Sequence, residues 1–554
     1  MRRISIRRGE AVTVGTYLAK RLEQAGLRHI FGVPGDYVLD FFAILEGSNL
    51  KVVCNCNELN AGYAADAYAR LNGVSGVCVT YGVGGLSLLN AVAGAFAERL
   101  PLIVISGGPK ISERSHHHLL HHTIGDMNLQ YNIYEKITVA SVILTSPRQA
   151  PRQIDGTIEA CLRFKRPVYI EIPTDIVSMP CQEPGPFVVD TDIPSDKEAM
   201  DEAVSEAFEL LEAAKDPVIL VGIEAHRFRI QNELPDLVDH SGYPFASTLL
   251  GKTVIHEEHP EFIGVYGGYA SWEDARKVIE QSDMILCLGT LMTDIEVGGV
   301  KALFEPSRMI IANSDNVRIK NHVYNQISLI EFIIALKDRL KKGKPIKLDV
   351  SHPSIALKER YTPVSEQKIT LKRFYHRINN FINSGMVLIA DAGDSTFNVA
   401  NLFCRKGVQC IIQAFYLSIG YSIPATLGTK LAEPGLRPIT FVGDGAFQMT
   451  AQEVSTLVRE NLNPIIFLIN NDGYTIERVM RDGAFNDLHM WKYSELPLIF
   501  NGGWGCAVKT EGELEEALQK ARERNNELAL IEIPTDRWDC SDSLRELGAT
   551  YKQK

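Results

Sequence analysis

Three observations predict an α/β chain built from three doubly wound parallel-sheet domains. Short apolar, β-branched runs alternate with amphipathic helical stretches, two proline- and lysine-rich segments interrupt the alternation, and one six-residue string occurs twice. The runs fall at 52–53, 76–80, 102–106 and 168–172, then at 218–221, 284–288 and 309–311, and finally at 386–390, 410–413, 439–442, 465–469 and 528–533. They are continuous rather than alternating, as expected of parallel strands covered by helices on both faces. The interruptions are 180–196, with Pro180, Pro184, Pro186 and Pro194, and 341–371, with a lysine run and three prolines. Both suit linkers, which sets domain boundaries at 1–185, 196–345 and 365–554. The repeated string is Ile170-Glu171-Ile172-Pro173-Thr174-Asp175, found again as Ile531-Glu532-Ile533-Pro534-Thr535-Asp536. Each copy closes its domain, so the first and third domains read as copies of one unit, with a site expected between them.

Composition narrows the function classes. At 554 residues, 45% hydrophobic and 23% charged, the chain is an ordinary multidomain globular protein. Its net charge of −11 repels phosphate backbones, and the opening MRRISIRR is too short to reverse that, so no nucleic-acid partner is expected. No apolar run reaches membrane-spanning length and no signal-peptide core opens the chain, so no membrane partner is expected and a cytoplasmic location is. The ten cysteines lack zinc-finger spacing; Cys54 and Cys56 read as buried thiols on one face of a strand.

The strongest chemical signal is Gly443-Asp444-Gly445 after the run at 439–442, followed by Asn470-Asn471 after the run at 465–469. Both segments leave a parallel sheet at its carboxyl edge, where ligands bind, so Asp444 and Asn471 can converge although 27 residues apart. Two hard oxygen donors, a backbone carbonyl and a diphosphate form the octahedral set Mg²⁺ prefers. Glycines would admit phosphate oxygens, and a helix expected to start near Thr450 would add partial positive charge.

This spacing resembles the thiamine diphosphate (ThDP) enzymes. The resemblance implies that Asp444, Asn471 and the carbonyl of Gly473 hold Mg²⁺ against ThDP, with Gly443, Gly445 and Ala446 beside the diphosphate. Ala446 stands where the family often has serine. It also implies a pyrimidine-binding first domain, a middle domain and a pyrophosphate-binding third domain, paired across a subunit interface in a homodimer at minimum and a homotetramer in the full assembly. Asn57-Glu58-Leu59-Asn60-Ala61-Gly62 resembles the segment whose glutamate contacts the aminopyrimidine, making Glu58 catalytic as well as cofactor-binding.

Leu120-His121-His122-Thr123 is similar to the histidine pair of the 2-oxo acid decarboxylase branch (pyruvate, indolepyruvate and branched-chain), and Val33-Pro34-Gly35-Asp36-Tyr37 to its acidic partner. Asn470-Asn471-Asp472-Gly473-Tyr474-Thr475-Ile476-Glu477 supplies a second catalytic carboxylate, Glu477. His116, His117 and His118 fall outside the family pattern and read as loop. By resemblance, Ile419 would wedge the cofactor bent and the Leu417 carbonyl would accept from its amino group. Asp394 would contact the cofactor too, in Gly393-Asp394-Ser395-Thr396-Phe397-Asn398. Thr396 occupies a position that is large and aromatic in strict pyruvate decarboxylases, so a roomier pocket lined by Thr396, Phe397, Ile476 and Met480 is expected.

The implied activity is non-oxidative decarboxylation of a 2-oxo acid to an aldehyde and CO₂ through a ThDP ylide and an enamine. The pocket points to longer, branched or aromatic substrates; pyruvate itself, or carboligation to 2-hydroxyketones, are the alternatives. A non-catalytic relative would have lost one of Glu58, Asp444 and Asn471, and all three are present. The middle domain has no GxGxxG fingerprint and reads as structural or regulatory.

Overall fold

Strands rich in Val, Ile and Leu, bounded by glycine- and proline-bearing turns, bury both faces, and this sets the architecture. A computed structural model describes residues 11–114, 119–189, 194–297 and 305–552. Residues 116–118, Gly298-Gly299 and the first eight residues therefore lie outside the described residues. Among those described, the strands of the first sheet are β1 (His29–Gly32), β2 (Lys51–Cys54), β3 (Ser75–Val79), β4 (Leu102–Gly108), β5 (Ala140–Ile143) and β6 (Val168–Pro173). The second sheet contains β7 (Pro217–Val221), β8 (Phe245–Thr248), β9 (Phe262–Tyr266), β10 (Met284–Leu288), β11 (Met309–Ala312), β12 (Asn316–Ile319) and β13 (His322–Asn325). The third contains β14 (Met386–Ala390), β15 (Gln409–Ile412), β16 (Arg437–Gly443), β17 (Ile465–Asn470), β18 (Trp504–Ala507) and β19 (Ala529–Pro534).

The first sheet runs β2-β1-β3-β4-β6-β5 and the third β15-β14-β16-β17-β19-β18, all parallel. The two orders are the same, strand for strand, as expected of copies of one unit. The echoed string forms β6 and β19, in the same place in each sheet. Its glutamate is used differently in the two copies. Glu171 is fully buried, accepts a hydrogen bond of 2.7 Å from the Tyr169 hydroxyl and pairs with Arg114, whereas Glu532 accepts from the side-chain amide of Asn470 at 2.7 Å.

The second sheet runs β13-β12-β11-β10-β7-β8-β9. Its first five strands in sequence pair parallel and β12 and β13 add an antiparallel edge. Seven strands escape the apolar-run reading: β1, β5, β8, β9, β12, β13 and β18. Most are only four residues long, and the edge strands β5, β13 and β18 carry polar or half-exposed residues, as in His322–Asn325.

The chain divides into two compact units. One gathers Met1–Thr191, Ile423–Pro434 and Gln452–Glu460; the other gathers Asp192–Ser422, Gly435–Ala451 and Asn461–Lys554. The second and third sheets thus share a unit, and a buried ion pair helps to join them. The Lys252 ammonium donates to Glu257 Oε1 at 2.6 Å and to the Leu402 carbonyl at 2.7 Å, and Glu257 Oε2 accepts from the Cys404 amide at 2.6 Å. The two charges answer each other and each takes a further backbone partner, which a buried pair requires.

The cysteine reading needs one correction. Cys54 ends β2 and Cys56 lies beyond it, exposed, so the two do not share a strand face; all ten cysteines are free. The chain leaves the strand at Asn55, whose amide is held by the Gly32 carbonyl at 2.9 Å.

Candidate active site

The carboxyl ends of β14, β16 and β17 build one cavity of about 220 Å³ in the second unit. At β16, Gly443 caps a helix, Asp444–Thr450, that starts at the motif itself. The expected start near Thr450 is therefore wrong: the helix ends there, because Ala446, Gln448 and Met449 are good helix formers and Gly445 sits early enough not to break the turn. A Cβ added at Gly443 would meet nothing within 4 Å, so this backbone faces open space. At Gly445 a Cβ would lie 2.4 Å from the Tyr474 ring, so that glycine is required by the protein's own packing.

Asp444 is 1% exposed. Its Oδ1 accepts from the Gly445 amide at 2.7 Å and its Oδ2 from the Gly473 amide at 3.0 Å. Burial pushes its carboxyl up to about 6 despite these amides. A buried carboxylate without a cationic side chain is stabilised by a metal ion. Asn471, also buried, lines the same cavity, as does Gly473, whose φ of 127° brings its amide to Asp444. The Gly473 carbonyl accepts from the Thr475 amide at 3.0 Å and keeps a second lone pair. This donor set is oxygen-rich and fits Mg²⁺.

Leu417, Ile419, Ala446, Asp394, Thr396, Phe397, Ile476 and Glu477 line the cavity together with these groups. Ile419 is 41% exposed, an apolar side chain held at the cavity without burial. Asp394 lines the wall, yet its carboxylate is engaged by the Ser541 amide at 3.0 Å and by the Ser541 hydroxyl, so it anchors the segment before the helix Asp542–Lys552. Burial raises the Asp394 carboxyl, and these donors oppose that rise. The Thr396 hydroxyl donates to the Asp391 carbonyl at 2.9 Å, which turns it toward its own backbone.

Met480 does not line the cavity. It ends the helix Thr475–Met480 and packs against the hydrophobic core, one turn beyond Ile476. Within this chain Glu477 is exposed and Glu58 half-buried. Sequence reasoning missed Leu371, Tyr375, Tyr474 and Leu547 as wall residues, because aromatic and aliphatic side chains carry no motif signal.

The first unit holds the other predicted group. Glu58 is the first residue of the helix Glu58–Asn72, whose N-cap Asn57 accepts from the Asn60 amide at 2.8 Å. A Cβ at Gly84 would lie 3.4 Å from Glu58 Oε1, so the bare glycine leaves the carboxylate room. Asp36, His121 and His122 come together across 85 residues of chain. His121 Nε2 bonds Asp36, His122 Nε2 lies 3.6 Å from its other oxygen, and the Tyr37 ring stacks on His121 at 4.8 Å. Burial acts to raise the Asp36 carboxyl, but the His121 hydrogen bond and charge outweigh it and hold the group below the ordinary range. His122 takes a φ of 64°, and Gly82 lies so close that a Cβ there would be 1.9 Å from the His122 carbonyl oxygen.

No helix among the described residues is long and apolar enough to cross a membrane. Family comparison matches three segments. Residues 12–129 match the thiamine pyrophosphate enzyme N-terminal TPP binding domain, 204–340 the central domain and 391–533 the C-terminal TPP binding domain. A probable pyruvate decarboxylase of Schizosaccharomyces pombe is 36% identical over 97% of this chain and 96% of its own length. Pyruvate decarboxylase of Neurospora crassa is 38% identical over 97% and 95%, and pyruvate decarboxylase 3 of Arabidopsis thaliana 36% over 97% and 93%. Three matched domains and relatives that align from end to end establish that this chain belongs to the thiamine-diphosphate enzymes as a 2-oxo acid decarboxylase, a carbon-carbon lyase.

Proposed function

We propose that the chain converts pyruvate to acetaldehyde and CO₂ with ThDP and Mg²⁺. The observation that carries this reading is full-length similarity to pyruvate decarboxylases of two fungi and a plant. It displaces the longer-substrate expectation as the first choice. One observation still favours larger substrates as a second reading: Thr396, small and bonded to its own backbone, leaves the wall beside Phe397 and Ile476 without a bulky side chain.

In this reading Asp444, Asn471 and the Gly473 carbonyl hold Mg²⁺ and, through it, the diphosphate. Bound ThDP supplies the nucleophilic carbon and the electron sink for decarboxylation. Glu58 donates to or accepts from the aminopyrimidine ring, and Ile419 orients the two rings. Glu477 holds a proton near the substrate carboxylate, where a second negative charge would repel it. Asp36, His121 and His122 pass the proton that completes the aldehyde, a role suited by the His121–Asp36 hydrogen bond and the His122 ring 3.6 Å from the same carboxylate. Glu58 lies in the first unit and the Mg²⁺ ligands in the second, so we propose a homodimer with active sites at the subunit interface, paired into a homotetramer in the cytoplasm. Exposed Val83 and Leu86 on the helix Val83–Ala97 offer apolar surface for that pairing.

A coupled aldehyde assay with pyruvate and with branched, longer-chain and aromatic 2-oxo acids tests both readings. Highest kcat/KM on pyruvate supports the first and on a larger acid the second, and no CO₂ from any of them refutes both. In the same assay Glu477→Gln should keep ThDP binding and lose about 10² to 10⁴ in kcat, the usual contribution of an acid-base group; wild-type turnover would remove Glu477 from the mechanism.

A further inference from the structure

The loop 417–422 holds an exposed isoleucine at the cavity wall by means of buried polar side chains. Leu417 has a φ of 53° and Gly420 of 85°, so the backbone takes the left-handed region twice within four residues. Such a conformation persists only where its surroundings over-determine it. Here Asp391, immediately after β14 and 0% exposed, does most of that. Its Oδ1 accepts from the Gly420 amide at 2.9 Å and the Ala392 amide at 3.0 Å, and its Oδ2 from the Ser422 amide at 2.8 Å. Two further side chains complete the clamp. Gln413 Oε1 accepts from the Ser418 amide at 2.8 Å, and the Thr450 hydroxyl donates to the Gly420 carbonyl at 2.7 Å. Met449 and Ala446 leave no room for a side chain at Gly420, where a Cβ would lie 2.7 Å from Met449 Cβ.

Asp391 accepts from three backbone amides, and two of them, Gly420 and Ser422, lie just after the exposed Ile419, while the Ser418 amide held by Gln413 lies just before it. A buried carboxylate spent on one loop, with an apolar side chain presented at the loop's tip, is an arrangement for pressing that side chain against a ligand.

We propose that Asp391 is a positioning residue that fixes the Leu417 carbonyl and Ile419 in the orientation that bends ThDP. The proposal rests on the ThDP reading above and extends it to a residue that touches neither cofactor nor metal. Its mechanical content is specific: Asp391 governs the fit of the two rings, while the diphosphate is held independently through Asp444 and Asn471.

Asp391→Asn tests this, because the amide keeps the size but turns one of the two acceptor oxygens into a donor facing an N–H. Thr450→Val is the second variant; it frees the Gly420 carbonyl from the opposite side and serves if the first fails to fold. Binding of ThDP and of inorganic pyrophosphate, each with Mg²⁺, is followed by tryptophan fluorescence, and hydrogen-deuterium exchange at the thiazolium C2 of bound ThDP by NMR. The expected result is a ThDP Kd raised about tenfold in Asp391→Asn and about threefold in Thr450→Val. Pyrophosphate affinity should stay within twofold of wild type and C2 exchange should slow in both variants. Equal loss of ThDP and pyrophosphate binding would mean general damage to the domain and would overturn the proposal, as would ThDP binding and exchange that match wild type. A wild-type protein that binds pyrophosphate but not ThDP would overturn the cofactor reading and the proposal with it.

Discussion

Lowering the pH from about 7 to about 5 should weaken Mg²⁺ binding by about tenfold through a single carboxyl group. Asp444 is 1% exposed, and burial lifts it from 3.8 to about 6. A rise of about two pH units corresponds to about 3 kcal/mol against the charged form. The sign follows from which form each state needs. In the metal-free fold the protonated carboxyl is favoured, so its stabilisation is fully present below the unfolded value near 3.8 and is lost as pH rises through about 6. Mg²⁺ requires the carboxylate, so protons compete with it. At pH 7 about nine in ten Asp444 groups are ionised and at pH 5 about one in ten, which gives the tenfold ratio. A carboxyl at the ordinary 3.8 would still be about nine-tenths ionised at pH 5 and would lose almost nothing. Titrating Mg²⁺ into ThDP-free protein at both pH values, and following the rise in thermal midpoint, measures the ratio without a titrating diphosphate. Asp444→Asn should abolish the Mg²⁺-dependent rise at both. An affinity at pH 5 within twofold of that at pH 7 would refute the argument that burial, relieved by the metal, controls this site.

Two further predictions concern the frame around the site. Glu511, 0% exposed, is held down to about 2 by the Arg373 guanidinium, which donates at 2.6 and 2.7 Å. The stability it contributes is present above about 4.5 and lost as pH falls through about 2, so urea midpoints of the wild type should drop across that window and Glu511→Gln should flatten the drop. Gly428→Ala would set a Cβ 1.8 Å from the Ala64 carbonyl oxygen, a backbone clash that neither helix can relieve by a rotamer change. Its urea-derived stability should fall by about 3 kcal/mol or more, and a loss under about 1 kcal/mol would show that the two helices can separate freely.

Much of this was readable from residues alone, for reasons that differ by element. Parallel strands buried on both faces must be apolar throughout, so 102–106 and 465–469 announce themselves, whereas β12 and β13 form an antiparallel edge with exposed polar positions and give no such run. The echoed hexapeptide predicted a duplicated unit, and the identical strand order of the two sheets agrees with it. The GDG and Asn-Asn pair could be brought together by the rule that parallel strands present their ligands at one edge. Met480 shows the limit of helical spacing: one turn from Ile476, it is partly buried against the same core, yet only Ile476 lines the cavity.

Sequence by itself determined the chemistry available to this protein. The oxygen donors, the two glutamates, the histidine pair and the glycines are identities, and their spacing against strand ends restricts where they emerge. Tertiary structure alone decided how each is held. That the Asp444 carboxyl is dry, that Asp394 spends itself on Ser541, that Gly445 yields to Tyr474 and that Asp391 gathers the amides of residues 420 and 422 all depend on contacts between segments distant in the chain. Burial and hydrogen-bond geometry arise from those contacts, and no local pattern encodes them.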